Sequence, residues 1–421
     1  MSTPAFSRIR WRTASPIVLV LLALLFSTVF SLASHLNASA ASPANAASDG
    51  PGALSHFDLA RKVCLGTARN TTSKVWFTIA NGVLSDVYYP TIDNTNVETL
   101  QYIVTDGSTF TDLQTRDTTY TVQSLSKNSN ALDCEVTTTA KSGKYRIVTD
   151  YLTDPGQNTL VMNVHFIALV GDLSAYRLYM RYDPSINGNG GGGSVKSENG
   201  GGDSGTIDTS TRHNVPVAFD TVTKSNAANR DYAEPVYSAL DASNPFTKVS
   251  NGFAGQPSDG LVQLDTSHNL TALYTQANDG NLVQTAQANI SRGGMFKLAL
   301  GFGTSQSAAV SAAEASLSTQ FSQLQKSYES GWDAYDNGLN APPPNFKGAT
   351  GTQWHQLVSE YYLSANVVKA SEDKTFPGAI VASLASPWGQ AISAGDPNNT
   401  FFGSYREVFA RDLYEAWTGL L

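Results

Sequence analysis

Charged side chains are scarce in this chain of 421 residues. Lys, Arg, Asp and Glu make up 15% of it, whereas an average soluble protein has about 25%. The formal net charge is −8, and no cluster of Lys and Arg forms a basic face. A nucleic-acid partner needs such a face to neutralise phosphates, so the composition argues against nucleic acid. The abundance of Thr, Ser, Asn and Gly instead suits an exported protein with many turns.

Cysteine is nearly absent. Cys64 and Cys134 are the two cysteines of the sequence. In an oxidising compartment they could close one disulfide between two strands, which typically contributes roughly 2–4 kcal/mol. Two buried free thiols are the alternative, and spacing alone does not decide between them. The six histidines are scattered without the spacing of a metal site, so no cofactor is predicted.

One long apolar run stands near the N-terminus. A basic stretch at residues 8–12 precedes the run Ile17 to Phe26, and Ala38-Ser39-Ala40 and Ala44-Asn45-Ala46 follow as cleavage candidates. This pattern predicts a signal peptide over residues 1–46 and a secreted protein. An uncleaved membrane anchor is the alternative. It is disfavoured because Ser and Thr dilute the apolar character after Phe26, and a spanning helix needs about 20 apolar residues. We expect no stable membrane insertion after cleavage.

Residues 55–304 carry the period of β-strands. Turn sequences such as Asn81-Gly82 and Asp154-Pro155-Gly156 separate the runs, and the Gly-rich stretch Asn187 to Gly205 is predicted to be a mobile surface loop. About 250 residues of this kind predict a large antiparallel sandwich, and no repeat of 20–50 residues suggests a propeller. The alternation is clearest in three runs: Leu160, Met162, Val164, Phe166; Tyr176, Leu178, Met180, Tyr182; and Phe296, Leu298, Leu300, Phe302.

The period then becomes helical. Apolar residues spaced by three or four predict one long helix or a helix pair over Ser305 to Asn337, ended by Pro342-Pro343-Pro344. We assign residues 305–344 to a helical linker and residues 345–421 to the start of an all-α domain, with a helix from Trp354 to about Ala370. The chain end at Leu421 is interpreted as a truncation. One apolar stripe of the last helix is expected to pack inward in the complete fold but to be exposed in this chain, because its partner helices would be missing. The stripe consists of Phe409, Leu413, Ala416, Trp417 and Leu420.

Four stretches resemble one enzyme family. They are Lys74 to Thr78, Gly82 to Pro90, Ala385 to Gly389, which contains Trp388, and Tyr405 to Tyr414, which contains the pair Arg411-Asp412. Together with the order of sandwich, linker helix and Trp-rich helical start, they resemble the bacterial glucoamylase and glucodextranase branch of glycoside hydrolase family 15. The resemblance implies a sandwich of the galactose mutarotase-like supersandwich type, followed by the first helices of an (α/α)6 barrel.

The resemblance also implies substrate contacts. In that family the Arg-Asp pair lies at the blind end of the barrel pocket and hydrogen-bonds the terminal sugar, which points to Arg411 and Asp412. Tyr405 matches a pocket tyrosine six residues before that Arg, and Trp388 would lie near the pocket rim or wall. Phe409 stands where the family usually has Trp, so an aromatic wall remains without the indole N–H. Guanidinium, carboxylate and aromatic groups together suit sugar hydroxyls and C–H faces.

Each assignment has a structural alternative. Arg411 and Asp412 could be an ion pair at a helix end, with Asp412 capping the helix, since Asp is common in first turns. Trp388 could pack in a core. The assignment of Tyr405 rests on the resemblance alone.

The catalytic pair of an inverting glycosidase has no counterpart in the sequence. Such enzymes hold a general acid and a general base about 6.5–9.5 Å apart. In the family both glutamates lie well downstream of the Arg-Asp motif, so the acid and the base are expected beyond Leu421. Glu372 sits in a Ser-Glu-Asp-Lys stretch typical of a solvated link, and Glu415 falls one turn into the last helix, so neither replaces them. The chain is therefore expected to be an inactive fragment of an exo-hydrolase. The complete enzyme is expected to release glucose from α-glucans with inversion.

Other features stay open at this stage. The linkage, α-1,4 or α-1,6, is not fixed, and the full-length enzyme is expected to be a monomer. Family members can carry calcium, but no run of spaced Asp and Asn names its ligands here. Gly202-Asp203-Ser204-Gly205 resembles the surroundings of a serine-protease nucleophile, but it lies in a Gly-rich stretch with no evident His partner. A non-catalytic sandwich that binds carbohydrate or braces the barrel is the stronger alternative.

Overall fold

The computed structural model describes residues 45–53, 61–188, 202–221, 234–342, 348–384 and 408–420. Most of the predicted signal peptide, Trp388, Tyr405 and the chain end at Leu421 therefore lie outside the described residues. The expectation that the general acid and base lie beyond Leu421 is accordingly untested and stays a prediction. No helix in the described ranges is long and apolar enough to cross a membrane.

Two antiparallel sheets dominate the structure. The first has eight strands in the order β1-β2-β3-β4-β10-β16-β14, with β5 paired to β4, and the second has nine in the order β15-β11-β12-β13-β17-β9-β8-β7-β6. In chain order the strands are β1 (Lys62–Thr67), β2 (Trp76–Ala80), β3 (Val83–Tyr88), β4 (Thr95–Thr105), β5 (Thr111–Leu113), β6 (Thr118–Gln123), β7 (Cys134–Ala140), β8 (Tyr145–Thr153), β9 (Thr159–Ala168), β10 (Arg177–Gly188), β11 (Asp203–Asp208), β12 (Val215–Asp220), β13 (Val236–Ala242), β14 (Lys248–Phe253), β15 (Gln276–Gly280), β16 (Leu282–Gln287) and β17 (Met295–Gly303).

The core lies between the sheets and confirms the predicted alternation. All twelve residues of the three alternating runs are buried in one apolar cluster, which draws on β9, β10 and β17. The predicted turns also form: Asn81-Gly82 joins β2 to β3 with φ of 51° and 76°, a left-handed pair that favours Asn and Gly. The sequence therefore predicts the sandwich class correctly.

A disulfide joins Cys64 to Cys134. Cys64 lies on β1 at the edge of the first sheet, and Cys134 lies on β7 of the second, with their Cα atoms 6.5 Å apart. The bond therefore links the two layers of the sandwich covalently.

Six helices complete the described structure. Two short ones, α1 and α2, connect strands, and α3 to α6 follow the last strand. In chain order they are α1 (Gln114–Asp117), α2 (Gly260–Ser267), α3 (Gln306–Ser318), α4 (Phe321–Asp336), α5 (Gly351–Ala370) and α6 (Ala410–Leu420), with a single 3-10 turn at Leu173–Ala175.

The stretch predicted as one long helix or a helix pair is a pair, α3 and α4. Lys297 of β17 donates from its ammonium group to the carbonyls of Leu317 and Thr319, where α3 ends. A cation at the last carbonyls of a helix satisfies acceptors that the helix leaves open. The contact thus ties the end of α3 to β17.

Both helices pack on the outer face of the nine-stranded sheet. Ala309 and Val310 of α3 bury against Val215 and Val217 of β12. A Cβ on Gly301 of β17 would collide with the backbone of α3, so glycine is required for this close approach. The residues assigned to a linker are therefore part of the sandwich's packing.

The Gly-rich stretch differs from its prediction at both ends. Strand β10 continues to Gly188 and β11 begins at Asp203, while residues 189–201 lie outside the described structure. Asp203 is buried and accepts a hydrogen bond from the Ile186 amide, and Ser204 accepts one from the Asp279 amide. The stretch that resembled a nucleophile loop is thus partly a strand.

Candidate functional site

The pair Arg411-Asp412 lies in the first turn of α6. Nη2 of Arg411 is 3.4 Å from Oδ2 of Asp412, and their side chains are 80% and 30% exposed. Helix α6 starts at Ala410, where the Leu413 amide donates to the Phe409 carbonyl, so Asp412 is the third helical residue and not the N-cap. The weak mutual contact leaves both groups able to bind a ligand. The position also suits an acidic residue near a helix N-terminus.

The expected exposure of the apolar stripe of α6 is confirmed within the described residues. None of its residues is buried, and Phe409 and Trp417 are 38% and 55% exposed. The spacing of apolar residues indicated a helix correctly, but a stripe is buried only where a partner surface lies against it. In the described part of the chain, α6 contacts α5.

Helix α5 is buried only at its C-terminal end. Asn366 and Ala370 are its buried residues, and Tyr361 and Val367 are exposed. Nδ2 of Asn366 donates to the Asn130 carbonyl, and the Ala370 carbonyl accepts a 2.9 Å hydrogen bond from the indole Nε1 of Trp76 on β2. The end of α5 is therefore held on the sandwich.

Residues Ser371–Leu384, here called the clamp segment, continue this attachment. Val381 and Leu384 are buried with Trp76, Tyr88 and Ile92 on the first sheet. Backbone hydrogen bonds fold the segment back on itself, as shown by those from the Asp373 amide to the Ala379 carbonyl and from the Val381 amide to the Ser371 carbonyl. The segment thus forms a small hairpin that packs against the sandwich.

Two charged residues of the clamp segment bind to the sandwich: Asp373 is buried and Lys374 is partly buried. Asp373 accepts hydrogen bonds from the Ile92 amide at 2.8 Å and from the amides of Thr375 and Phe376. Lys374 donates to the carbonyls of Ala68 and Ser73 at 2.6 and 2.7 Å. Its Nζ also lies 5.1 Å from the centre of the Trp76 ring.

Burial lowers the pKa of the Lys374 ammonium group well below its usual range. The nearby Arg69 acts in the same direction, and Asp373 opposes it. For Glu372, partial burial alone would raise the pKa, but hydrogen bonds from Lys369 and the Gly378 amide lower it on balance.

The prediction that Ser-Glu-Asp-Lys is a solvated link is therefore wrong. Sequence reasoning missed Asp373 and Lys374 because their partners are backbone groups roughly 300 residues away. One signal was available: the stretches Lys74 to Thr78 and Gly82 to Pro90 contain Trp76 and Tyr88, which contact the clamp segment. The family-like stretches thus form one side of this junction.

The remaining cavities and polar clusters of the described structure do not include Arg411. No group of three or more metal-ligating side chains occurs among the residues that the structure describes. An open cavity of about 380 Å³ lies beside α4, where Arg69 stacks 4.6 Å from the centre of the Tyr335 ring. A larger one of about 630 Å³ adjoins His213, which hydrogen-bonds the buried Asp241 at 2.7 Å. None of the sequence-predicted site residues in the described ranges lines either cavity.

The chain matches known proteins over the sandwich and over longer stretches. Residues 47–337 match the family described as glucodextranase, domain N. A glucoamylase from Clostridium sp. (strain G0005) is 36% identical over 369 residues, which cover 87% of this chain and 46% of the relative. The crystal structure of a bacterial glucoamylase complexed with acarbose matches with a TM-score of 0.72 and 34% identity, over 88% of this chain and 48% of the other.

The chain thus spans about half the length of these relatives. The match to domain N ends at residue 337, next to the end of α4, while the two longer matches cover more of the chain than domain N alone.

Proposed function

The chain belongs to the glucodextranase domain N family within the glucoamylase branch of the glycoside hydrolases, and on this basis we propose that it forms the N-terminal sandwich and first catalytic helices of a secreted glucan exo-hydrolase. The proposed reaction releases glucose from the non-reducing ends of α-glucans with inversion. The observation that carries the proposal is the 36% identity to a glucoamylase over 87% of the chain. The matching solved glucoamylase is complexed with acarbose, which supports an oligosaccharide as the ligand.

Arg411 and Asp412 are the proposed contacts to the terminal sugar. Their exposure and their single 3.4 Å contact leave hydrogen-bonding capacity for vicinal hydroxyls. Phe409 is exposed next to them and offers a ring to a pyranose face. Trp388 and Tyr405 complete the proposed contacts on the strength of the motif alone.

The general acid and base are proposed to lie beyond Leu421, in the part of the relatives that this chain does not span. We therefore expect the chain by itself to release no glucose. Secretion is supported by the signal-like pattern of residues 1–46, and a monomer is proposed for the whole enzyme.

The test fuses residues 47–421 to the remaining catalytic part of the Clostridium glucoamylase and measures glucose release from starch and from dextran. The preferred substrate then identifies the linkage. The anomer that appears first by NMR identifies the stereochemistry, and β-glucose is expected. Residues 47–421 alone and the intact relative are the controls. A folded fusion that binds acarbose but releases no glucose, or that releases α-glucose first, would contradict the proposal.

A bracing role of the sandwich is the second candidate, and the clamp segment favours it. The first sheet buries Val381 and Leu384, and the outer face of the second sheet buries α3 and α4. The bracing role does not conflict with the proposed catalysis. A sandwich that only holds the first helices in place contributes no reacting group, and the reacting groups are proposed to lie elsewhere. If the fusion is inactive while residues 47–421 remain folded, bracing alone is supported.

A further inference from the structure

Lys374 is a partly buried cation whose ammonium group has its partners on the sandwich. Its ammonium group donates to the carbonyls of Ala68 and Ser73, in the loop that joins β1 to β2. The ring of Trp76, 5.1 Å from Nζ, lies within the range of a cation–π contact. The side chain thus ties the clamp segment to two separate points of one sandwich loop and to β2.

Asp373 makes the complementary attachment. Its Oδ2 accepts from the Ile92 amide of the sandwich, and its Oδ1 accepts from the Thr375 and Phe376 amides of its own turn. The carboxylate therefore fixes the conformation of the clamp segment and its place on the first sheet together.

An apolar side chain in place of Lys374 would occupy this space at a lower desolvation free energy. Removing an ammonium group from water is expensive, and well-packed hydrophobic residues often replace buried charges without loss of stability. What buried polar groups add is a single geometry, because each must meet its partners at hydrogen-bond distance. This points to a role in orientation rather than in stability.

The attachment leads directly to the proposed sugar contacts. The clamp segment follows α5, whose last residue, Ala370, accepts from the Trp76 indole, and α5 in turn contacts α6, which carries Arg411 and Asp412. We propose that Asp373 and Lys374 are positioning residues that orient α5 on the sandwich and, through α5, the Arg411-Asp412 pair. This inference rests on the proposed function of that pair.

The first arm of the test uses the 421-residue chain. Lys374→Met keeps the length of the side chain and removes its donors. Lys369→Met is the matched control, because Lys369 pairs with Glu372 inside the segment and not with the sandwich. Hydrogen exchange should accelerate about tenfold or more at residues 371–381 and at Ile92 in Lys374→Met, and stay near wild type in the control and in β7 to β9. Unchanged exchange, or loss of protection throughout the sandwich, would overturn the proposal.

The second arm uses the active fusion with the relative's catalytic part. Lys374→Met should lower kcat/KM by about tenfold to a hundredfold with Tm nearly unchanged, because misplaced binding groups cost rate without unfolding the protein. Local opening with wild-type kcat/KM would refute the positioning role. If Lys374→Met does not fold, Asp373→Asn is measured in the same way.

The two arms separate the hypotheses. An inactive wild-type fusion refutes the proposed function, and the positioning role with it, whereas the exchange experiment still decides whether the two residues hold the clamp segment.

Discussion

The disulfide between Cys64 and Cys134 provides the sharpest test of the fold. The two residues are 70 positions apart in sequence. A cross-link that closes a loop of this length lowers the entropy of the unfolded chain and stabilises the fold by about 4.4 kcal/mol. For a cooperative unit of about 300 residues, an unfolding entropy of about 2.1 cal/mol/K per residue converts this to a Tm change of about 7 °C.

The double variant Cys64→Ala, Cys134→Ala should therefore melt about 7 °C below wild type in calorimetry. Its urea m-value should rise, because an unfolded chain without a cross-link exposes more surface. Treatment with reductant should destabilise the wild type and leave the double variant unchanged, which separates loss of the bond from loss of side-chain packing.

The alternative of two free thiols gives opposite results. A thiol titration of denatured, unreduced protein should find none, and a finding of two per chain with no effect of reductant on Tm would refute the reasoning. The comparison with reductant is needed because Cys134 is buried, so replacing it by Ala removes some apolar contact as well as the disulfide.

Three further predictions follow from other parts of the structure. In the active fusion, Asp412→Ala should lower kcat/KM by roughly a hundredfold, at a cost of about 2–4 kcal/mol in transition-state binding, with Tm unchanged; a lowered Tm with normal turnover would instead support the helix-end ion pair. Burial raises the pKa of Asp150 to about 6, with Glu135 and Asp133 acting in the same direction and Asn163 opposing. The folded state holds the Asp150 proton more tightly than the unfolded state, so the stabilising effect of this proton is lost as pH rises from about 4 to about 6. The free energy of unfolding of Asp150→Asn, measured relative to wild type in urea titrations, should therefore increase over that range. A constant difference would refute the pKa shift. Gly301→Val should destabilise the protein by about 2 kcal/mol or more through collision with α3, whereas Gly156→Ala, where a Cβ meets only Asp154 at 3.4 Å, should change Tm little; equal effects would contradict the packing.

Local patterns predicted the local structure well. The alternation around Leu160 and Leu298 indicated strands because one face of each is buried between the sheets. The helical spacing from Val310 to Tyr335 indicated helices, but the contact of Lys297 with the end of α3 involves a residue outside that stretch.

What the sequence could not predict was burial created by distant backbone. Asp373 and Lys374 have the composition of a surface link, yet their partners are the Ile92 amide and the carbonyls of Ala68 and Ser73. Backbone groups occur at every position and leave no trace in residue identity. The exposure of Trp417 on α6 agrees with the expectation for an apolar stripe that has no partner surface within the described residues. The assignments of Arg411 and Asp412 to sugar binding stay predictions.

The strand order has a consequence for how the chain folds. β16 lies between β10 and β14 in the first sheet, and β17 lies between β13 and β9 in the second, so each sheet receives an interior strand from residues 282–303. Until those residues are available, β9 and β13 both have an open edge, and the nine-stranded sheet consists of two unjoined groups of strands. Such edges favour aggregation, and pairing between strands far apart in sequence is slow. A growing chain thus completes both sheets only near the end of the sandwich, and substitutions in β16 or β17 should delay the folding of the whole sandwich rather than of one hairpin.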